Sequence, residues 1–492
     1  MSLPEDQSES HLESPPEPAS TGITNSRRIW NRRFGDWFVN LPPVRNRVPL
    51  RYRPTLYLDS LYNVGTGAFI CLFLLSAVVL KTIVGGTETH LAVLGAMFGG
   101  SSLLSPIVSY AGRKIPMRSL VVYPNLIVAG LLVATFLTDL GPTFFTLIVG
   151  LAFIFRVFPR VAEMNMYRVV YPTTHRGAAV GWVKAISAFS ALAITGLGYW
   201  WFSFLPDQYW LLYVLVAAFL VGSALCYARI PISRRNVFAK EDGLSPVKAF
   251  WAGLKIFASD KRFLWYQIGF ALAGFANHMA MVYVAQVLRT DVIGSQSMEN
   301  FVPFYSMVSH WNLERETWVT LIVGFVYALL PTVLMMVSAV FWGRFLDRIN
   351  PMNARALFNT FQLVAYALHA YGGLTLQIWP IVLGATLHAI GNGGGTINWL
   401  TGSLHFARED QISLYNAVHV GLTGIRGMIA PLFGLYLYSS RIFEFEIGGE
   451  TIISIPGVGL GAGVFWVASV LSLLGAVVML IQGMTDPGPR DE

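Results

Sequence analysis

The chain has 492 residues, of which 54% are hydrophobic and only 12% charged, and its mean hydropathy is +0.55. That is more apolar surface than a soluble core can use, which excludes an ordinary soluble globular protein. The net charge of +7 is explained below by its placement along the chain, without nucleic acid, and two cysteines, Cys71 and Cys226, make neither a disulfide framework nor a metal site.

Residues 1–26 are rich in Ser, Glu and Pro and cannot bury a core, which predicts disorder. Nothing apolar precedes Tyr57 at the distance a signal peptide requires, so none is expected. Trp30, Phe34, Trp37 and Phe38 fall at i, i+4, i+7 and i+8 among Arg27, Arg28, Arg32 and Arg33. Two readings stay open: a short helix lying on an anionic membrane face, or a basic tail with stray aromatics.

From Tyr57 to Gly483 the chain carries twelve apolar stretches, at 55–80, 89–111, 119–138, 142–166, 178–203, 208–228, 264–288, 317–341, 355–375, 378–402, 412–438 and 455–483. Each is about the roughly 20 residues needed to cross a hydrocarbon layer of about 30 Å. In lipid the backbone must satisfy itself, so a spanning segment is a helix or a strand of a closed barrel. These runs are continuous and rich in Leu, Val, Ala and Gly, without period-two alternation, so helices are expected. The fold class is all-α polytopic with twelve membrane helices, in a plan of five parts. These are a basic N-terminus over 1–53, a six-helix bundle over 54–228, a middle loop over 229–263, a second bundle over 264–483 and a tail over 484–492.

Charge sets the direction. With the N-terminus inside, the outward connections hold four basic residues: Lys81, Arg289, Arg315 and Arg441. They hold ten acidic ones: Glu88, Asp139, Asp207, Asp291, Glu299, Glu314, Glu316, Glu444, Glu446 and Glu450. Most of the other 30 of 34 Lys and Arg fall on the inner side, among them Arg113, Lys114, Arg118, Arg229, Arg234, Arg235, Arg344, Arg348 and Arg355. Basic residues in short loops stay cytoplasmic during insertion, so both termini are expected in the cytoplasm of a protein of the plasma (inner) membrane.

The middle loop divides the helices six and six. Ser245 and Pro246 suit a helix start, and Val247, Phe250, Trp251, Leu254 and Phe257 form an apolar stripe away from Lys248 and Lys255, which predicts a lateral helix at the inner interface. The halves also repeat. Pro116-Met117 and Pro351-Met352 lie 235 residues apart, after stretches 2 and 8, and the same offset relates Tyr171 to Phe406 after stretches 4 and 10. Equal spacing at two places indicates duplicated units in parallel orientation. The connection after stretch 8 reads Gly343-x-x-x-Asp347-Arg348, and with the twelve spans and the 6+6 split the chain resembles the major facilitator superfamily over about 50–485. The resemblance implies alternating access, by two bundles rocking around a midplane site lined by helices 1, 4, 7 and 10. It also implies a conformational latch formed by Gly343, Asp347 and Arg348. The first copy keeps Arg113 but has Gly112 where the acid would be.

Charge at membrane depth is costly and marks function by default. Stretch 4 places Arg156, Arg160 and Glu163 on one face, with Arg156 near the middle and Arg160 spaced to pair with Glu163. Stretch 11 places Asn416, His419, Thr423 and Arg426 on one face, with Arg426 near midplane. Arg156 and Arg426 are therefore expected to face one shared aqueous cavity. Lys184 stands 235 residues before His419 and is a further candidate, with snorkelling to the inner surface as the plainer reading. Stretch 10 offers His388, Asn392 and three glycines, Gly393 to Gly395, that weaken a helix and admit close approach. Stretch 7 offers Asn277 and His278, and stretch 1 offers Asp59 and Asn63. For His278 and His388 a plain interhelical hydrogen bond is the blander alternative. Stretches 3, 6, 9 and 12 read as comparatively plain, although stretch 9 has Gln362 and His369.

No phosphate-cradling Gly-rich loop or nucleophile elbow is present, so no enzyme activity is expected. The function expected is secondary active transport of a small polar or anionic organic solute. The alternatives are a membrane-embedded transferase acting on a lipid-linked substrate, or a transporter-like receptor that moves nothing. The expected partners are a small-molecule solute and the lipid bilayer, with protons as a candidate coupling ion, and no cofactor, metal or nucleic acid. His419, Glu163 and Asp59 are the groups able to carry such a proton.

Overall fold

A computed structural model describes residues 49–105, 107–108, 115–171, 173–232, 246–295, 314–346, 349–407, 412–447 and 450–486. The aromatic-basic segment Trp30–Phe38 and the latch residues Arg113, Asp347 and Arg348 lie outside them.

The described residues make twelve helical passes. Passes 1 to 3 are Arg53–Ile70 with Leu72–Thr82, Glu88–Gly100 with Ser101–Leu104, and Met117–Val133 with Ala134–Leu140. Passes 4 to 6 are Pro142–Phe155 with Val157–Val170, Thr173–Phe204, and Trp210–Arg229. After a helix over Pro246–Ser259, pass 7 is Lys261–Gln286 extended by Val287–Ile293, and pass 8 is Arg315–Gly324, Phe325–Leu329 and Leu330–Leu346. Passes 9 to 12 are Pro351–Leu374, Ile378–Thr401, Ile412–Tyr438 and Val464–Thr485. Since the passes are even in number, Arg53 and Thr485 lie at one end of the bundle, here the terminal face, and the opposite end is the distal face.

Local sequence explains the interruptions. Pass 4 breaks at Arg156, three residues before Pro159, whose ring excludes the bond a helix would make to the Phe155 carbonyl. Pass 8 is wound as a π-helix over Phe325–Leu329, directly after Gly324. Gly393 to Gly395 do not break pass 10, contrary to their propensity. They lie inside its continuous helix, and a Cβ on Gly394 would meet the Phe358 ring at 2.3 Å, so packing against pass 9 overrides propensity.

The twelfth stretch needs correction, because it begins as a strand. Arg441–Ile447 (β1) pairs antiparallel with Glu450–Pro456 (β2), and the pass starts only at Val464. Of the stretch, Ile455 and Pro456 belong to this strand, and β-branched Ile455 suits a hairpin. Gly459 (φ +73°) and Gly461 (φ +53°) then turn the chain into the pass, in a conformation side chains resist.

Among the described residues, nine helices are long and apolar enough to cross a membrane. Passes 2, 9 and 10 are not among them: pass 2 is described as a 13-residue helix with a short 3-10 extension, whereas passes 9 and 10 have 24 residues each. Pass 9 carries Arg355, Asn359, Gln362 and His369, and pass 10 carries His388 and Asn398, all buried. Their polarity is turned inward, while Trp379, Leu383, Leu432, Leu473 and Leu480 are exposed on the outside, as a lipid-facing shell requires.

Among the described residues the core forms four clusters. The two on the terminal side stay within their own halves, one around Leu56, Tyr62 and Tyr171 and one around Phe263, Tyr266 and Phe406. The distal pair crosses over: Ala328 of pass 8 joins the first-half cluster and Ala92 of pass 2 joins the second. Hydrogen bonding repeats this asymmetry. Among the described residues three bonds join the halves, and all lie at the distal end. Gln286 donates to Glu88 (3.2 Å), Thr89 to the Ile442 carbonyl (2.6 Å) and Thr317 to the Ser203 carbonyl (3.4 Å). Passes 2 and 11 meet backbone to backbone below this rim. A Cβ on Gly99 would lie 2.4 Å from the Gly427 carbonyl oxygen. The distal end is therefore closed.

Candidate functional site

Between the halves lies a cavity of about 260 Å³. The first half supplies Phe98, Gly99 and Ser102 from pass 2 and Arg160 from pass 4. Pass 7 supplies Phe270, Gly274, Asn277 and His278, and pass 10 supplies Asn392, Gly395, Thr396 and Trp399. Pass 11 adds Thr423 and Arg426, and pass 9 reaches in with Arg355 and Gln362. Three guanidiniums thus line one small space, and among the described residues its lining holds no Asp or Glu.

The three cations are held differently. Arg426 is 9% exposed and pinned: one nitrogen donates to the Phe270 carbonyl (2.8 Å) and another to Thr423 Oγ1 (3.3 Å). Its Cζ also lies 4.3 Å from the Phe270 ring centre. Gly274 leaves room for the guanidinium in this position, since a Cβ there would meet Arg426 Cζ at 2.4 Å. Arg160 is exposed to the cavity and lies over Trp399 of the other half (5.2 Å). Arg355 is 5% exposed and lies over the Phe270 ring (4.1 Å).

Of the residues expected to act from sequence, Arg160, Asn277, His278, Asn392 and Arg426 come together here. Asn277 Oδ1 accepts from Tyr366 (2.9 Å) and His388 Nε2 (2.8 Å), so His388 supports the wall without lining it. Arg156 does not share the cavity with Arg426, which corrects the expectation. It donates to Asn125 (3.0 Å) and Thr66 (2.6 Å), tying passes 3 and 1 to pass 4. The pairing of Arg160 with Glu163 is also corrected. Glu163 accepts from Lys184 (2.6 Å) and Tyr167 (2.6 Å), because its turn of pass 4 faces pass 5. His419 is off the cavity, hydrogen-bonded to Gln267 (3.0 Å) and packed against Phe270. Asp59 is fully buried on the terminal side, where it accepts from Asn63 (3.0 Å) and Tyr171 (2.9 Å) and has no ion-pair partner among the described residues. Gly343 lies in pass 8, and the Asn416 side chain is outside the described set.

Sequence reading fails at pass 9. By composition it is comparatively plain, with Gln362 and His369 noted but given no role, and Arg355 falls among the inner-loop cations. Yet Arg355, Asn359, Gln362, Tyr366 and His369 stand at i, i+4, i+7, i+11 and i+14, one continuous stripe, and all five are buried. That spacing is the signal that could have found them. Asn125, which holds Arg156, has no comparable one.

The family model described as Major Facilitator Superfamily matches residues 63–431, three quarters of the chain. The chain belongs to the Major Facilitator Superfamily. Membership makes it a multi-pass membrane transporter rather than an enzyme. Comparison with curated sequences finds no match. Solved structures show the superfamily fold at low identity. The nucleoside transporter NupG, solved as a point mutant, is 12% identical with a TM-score of 0.63, over 87% of this chain and 99% of that one. The inward open xylose transporter XylE from E. coli is 11% identical with a TM-score of 0.59, over 90% and 98%. A POT family transporter in complex with a thioalcohol conjugated peptide is 12% identical with a TM-score of 0.60, over 87% and 96%.

Proposed function

We propose that this superfamily member carries a small organic anion by alternating access. The observation that carries the reading is the cavity lining: Arg160, Arg355 and Arg426 with no carboxylate among the described residues around them. A site this cationic in a low-dielectric bundle favours an anion and disfavours a cation or a bare sugar. The polar groups beside it, Asn277, Asn392 and Thr423, suit the hydroxyl or carbonyl groups of the same solute. In proteoliposomes, uptake of the solute should fall at least about tenfold in Arg160→Gln and in Arg426→Gln, the loss expected for one charge-assisted contact. Uptake of neutral solutes only, unaffected by either change, would reject the anion.

The basic residues favour the terminal face as the cytoplasmic one, and the closed distal end is then the end that faces outward. Cysteine labelling in intact cells should reach position 446 from outside and position 242 only after permeabilisation. Labelling of both from one side would overturn this orientation.

Among the solved neighbours is one described as a D-xylose-proton symporter, 12% identical with a TM-score of 0.56 over 86% of this chain and 96% of that one. For this chain, Asp59 is our candidate seat of a coupling proton, because it is buried without a counter-charge among the described residues, close to the Glu163–Lys184 pair. Asp59→Asn should leave exchange of labelled solute intact and abolish uptake driven by a pH gradient. Equal loss of both would make Asp59 a structural residue.

A further inference from the structure

Arg355 fits no structural role. It is 95% covered, yet its guanidinium makes no hydrogen bond among the described residues, and its Nε is buried without a partner. The guanidinium lies against the Phe270 ring, its Cζ 4.1 Å from the ring centre. A covered guanidinium with idle donors is destabilising unless something else occupies them. The internal repeat supplies a comparison. The position 235 residues earlier is Leu120, 3% exposed in the terminal-side core of the first half. Helix packing at this point of the fold is thus satisfied by an aliphatic side chain, and the charge is an addition to it. Arg426 stands over the same Phe270 ring, and its Nε also lacks a partner, so both forks are within reach of one small ligand. Arg160 faces them across the cavity from the other half, its guanidinium making no hydrogen bond among the described residues and lying over Trp399.

We infer that Arg355 and Arg426 form an oxyanion subsite around Phe270, and that the transported solute carries at least two negative charges on oxygen. A dicarboxylate and a phosphate monoester both have this chemistry. The inference rests on the reading that the cavity takes an anion and adds its charge and its anchor. A monoanion would leave two of three guanidiniums uncompensated inside the bundle. A dianion answers the two that share Phe270, and the planar forks suit carboxylate or phosphoryl oxygens in pairs. Pass 9 thereby becomes a specificity-determining element, although it stands behind passes 7 and 10.

The test uses the purified full chain at constant ionic strength, with thermal stabilisation as the readout. The probes are glycerol, lactate, succinate and glycerol 3-phosphate. At least one of the two dianions should stabilise at a concentration about tenfold or more below that needed for lactate, and the dianion that does so identifies the group. Arg355→Leu, which copies the side chain at Leu120, should fold, melt no lower than the parent without ligand, and lose the preference for dianions over lactate. Arg355→Gln should do the same and covers a failure of the leucine variant to express. Equal response to lactate and both dianions overturns the inference and leaves the anion reading standing. So does a dianion preference that survives in both variants. No response to any of the three anions overturns the anion reading itself.

Discussion

Gly427→Leu is expected to abolish transport while leaving a folded protein whose distal end stays open. Gly427 and Gly99 touch backbone to backbone, and a Cβ on Gly427 would stand 2.8 Å from the Gly99 Cα and carbonyl carbon. Those are main-chain atoms, so no rotamer change relieves the clash. Overpacking a tight contact costs about 1–3 kcal/mol even where side chains can yield. Here passes 2 and 11 must separate, and the seam continues at Gly424, where a Cβ would meet the Leu103 amide nitrogen at 2.5 Å. A cost above about 3 kcal/mol shifts the balance of states more than a hundredfold. The contact lies between the two halves, so opening relieves it without unfolding either. A cysteine placed at Thr89, which bonds Ile442 across the closed rim, should become reactive from the distal side in Gly427→Leu. Normal transport with an unreactive position 89 would remove the glycine seam from the mechanism.

Asp486→Ala is expected to destabilise the second bundle by roughly 2–4 kcal/mol, the range for breaking a covered charged network. The Asp486 side chain is fully covered and gathers Arg262 of pass 7, Asn350 at the start of pass 9 (2.7 Å) and His405 after pass 10 (2.7 Å). One carboxylate beyond the end of pass 12 thus ties three other passes at the terminal face. Burial alone would raise its pKa, but the hydrogen bonds from His405 and Asn350 and the Arg262 charge outweigh burial and hold the carboxyl below its usual range. A depressed carboxyl adds stability that is complete above its unfolded pKa of about 4 and is lost as pH falls through the lowered value. Thermal melts of the parent should therefore drop steeply below about pH 4, and those of Asp486→Asn should lack that component. Equal melting of parent and variant at neutral pH would show that the cluster contributes nothing to the bundle.

The passes are legible because lipid imposes a simple rule, that a helix must be long and apolar. Leu126, Leu225 and Leu473 meet it singly and need no partner. The limits of that rule are visible at the end of β2, where the apolar stretch begins at Ile455 but the helix begins only at Val464. A hairpin partner and two glycines of positive φ, not hydropathy, stop the helix there. The three-glycine run of pass 10 misleads in the opposite direction, since local propensity predicts weakness where a neighbouring ring requires the missing side chains.

The candidate site is half legible. Depth and helical face identify Arg160, Arg426, Asn277, His278 and Asn392, because charge and amides inside a membrane are rare enough to be noticed one residue at a time. The sequence by itself determined the twelve passes, the 6+6 division, the repeat and the presence of cations at membrane depth, all of which follow from composition along one chain. Only the tertiary structure decided which cations share a space. Arg156 is turned to Asn125 and Thr66, Glu163 to Lys184, and Arg355 past Phe270 into the cavity. Those assignments depend on which faces of separate helices meet, and the 3.6-residue period of one helix says nothing about the rotation of its neighbour.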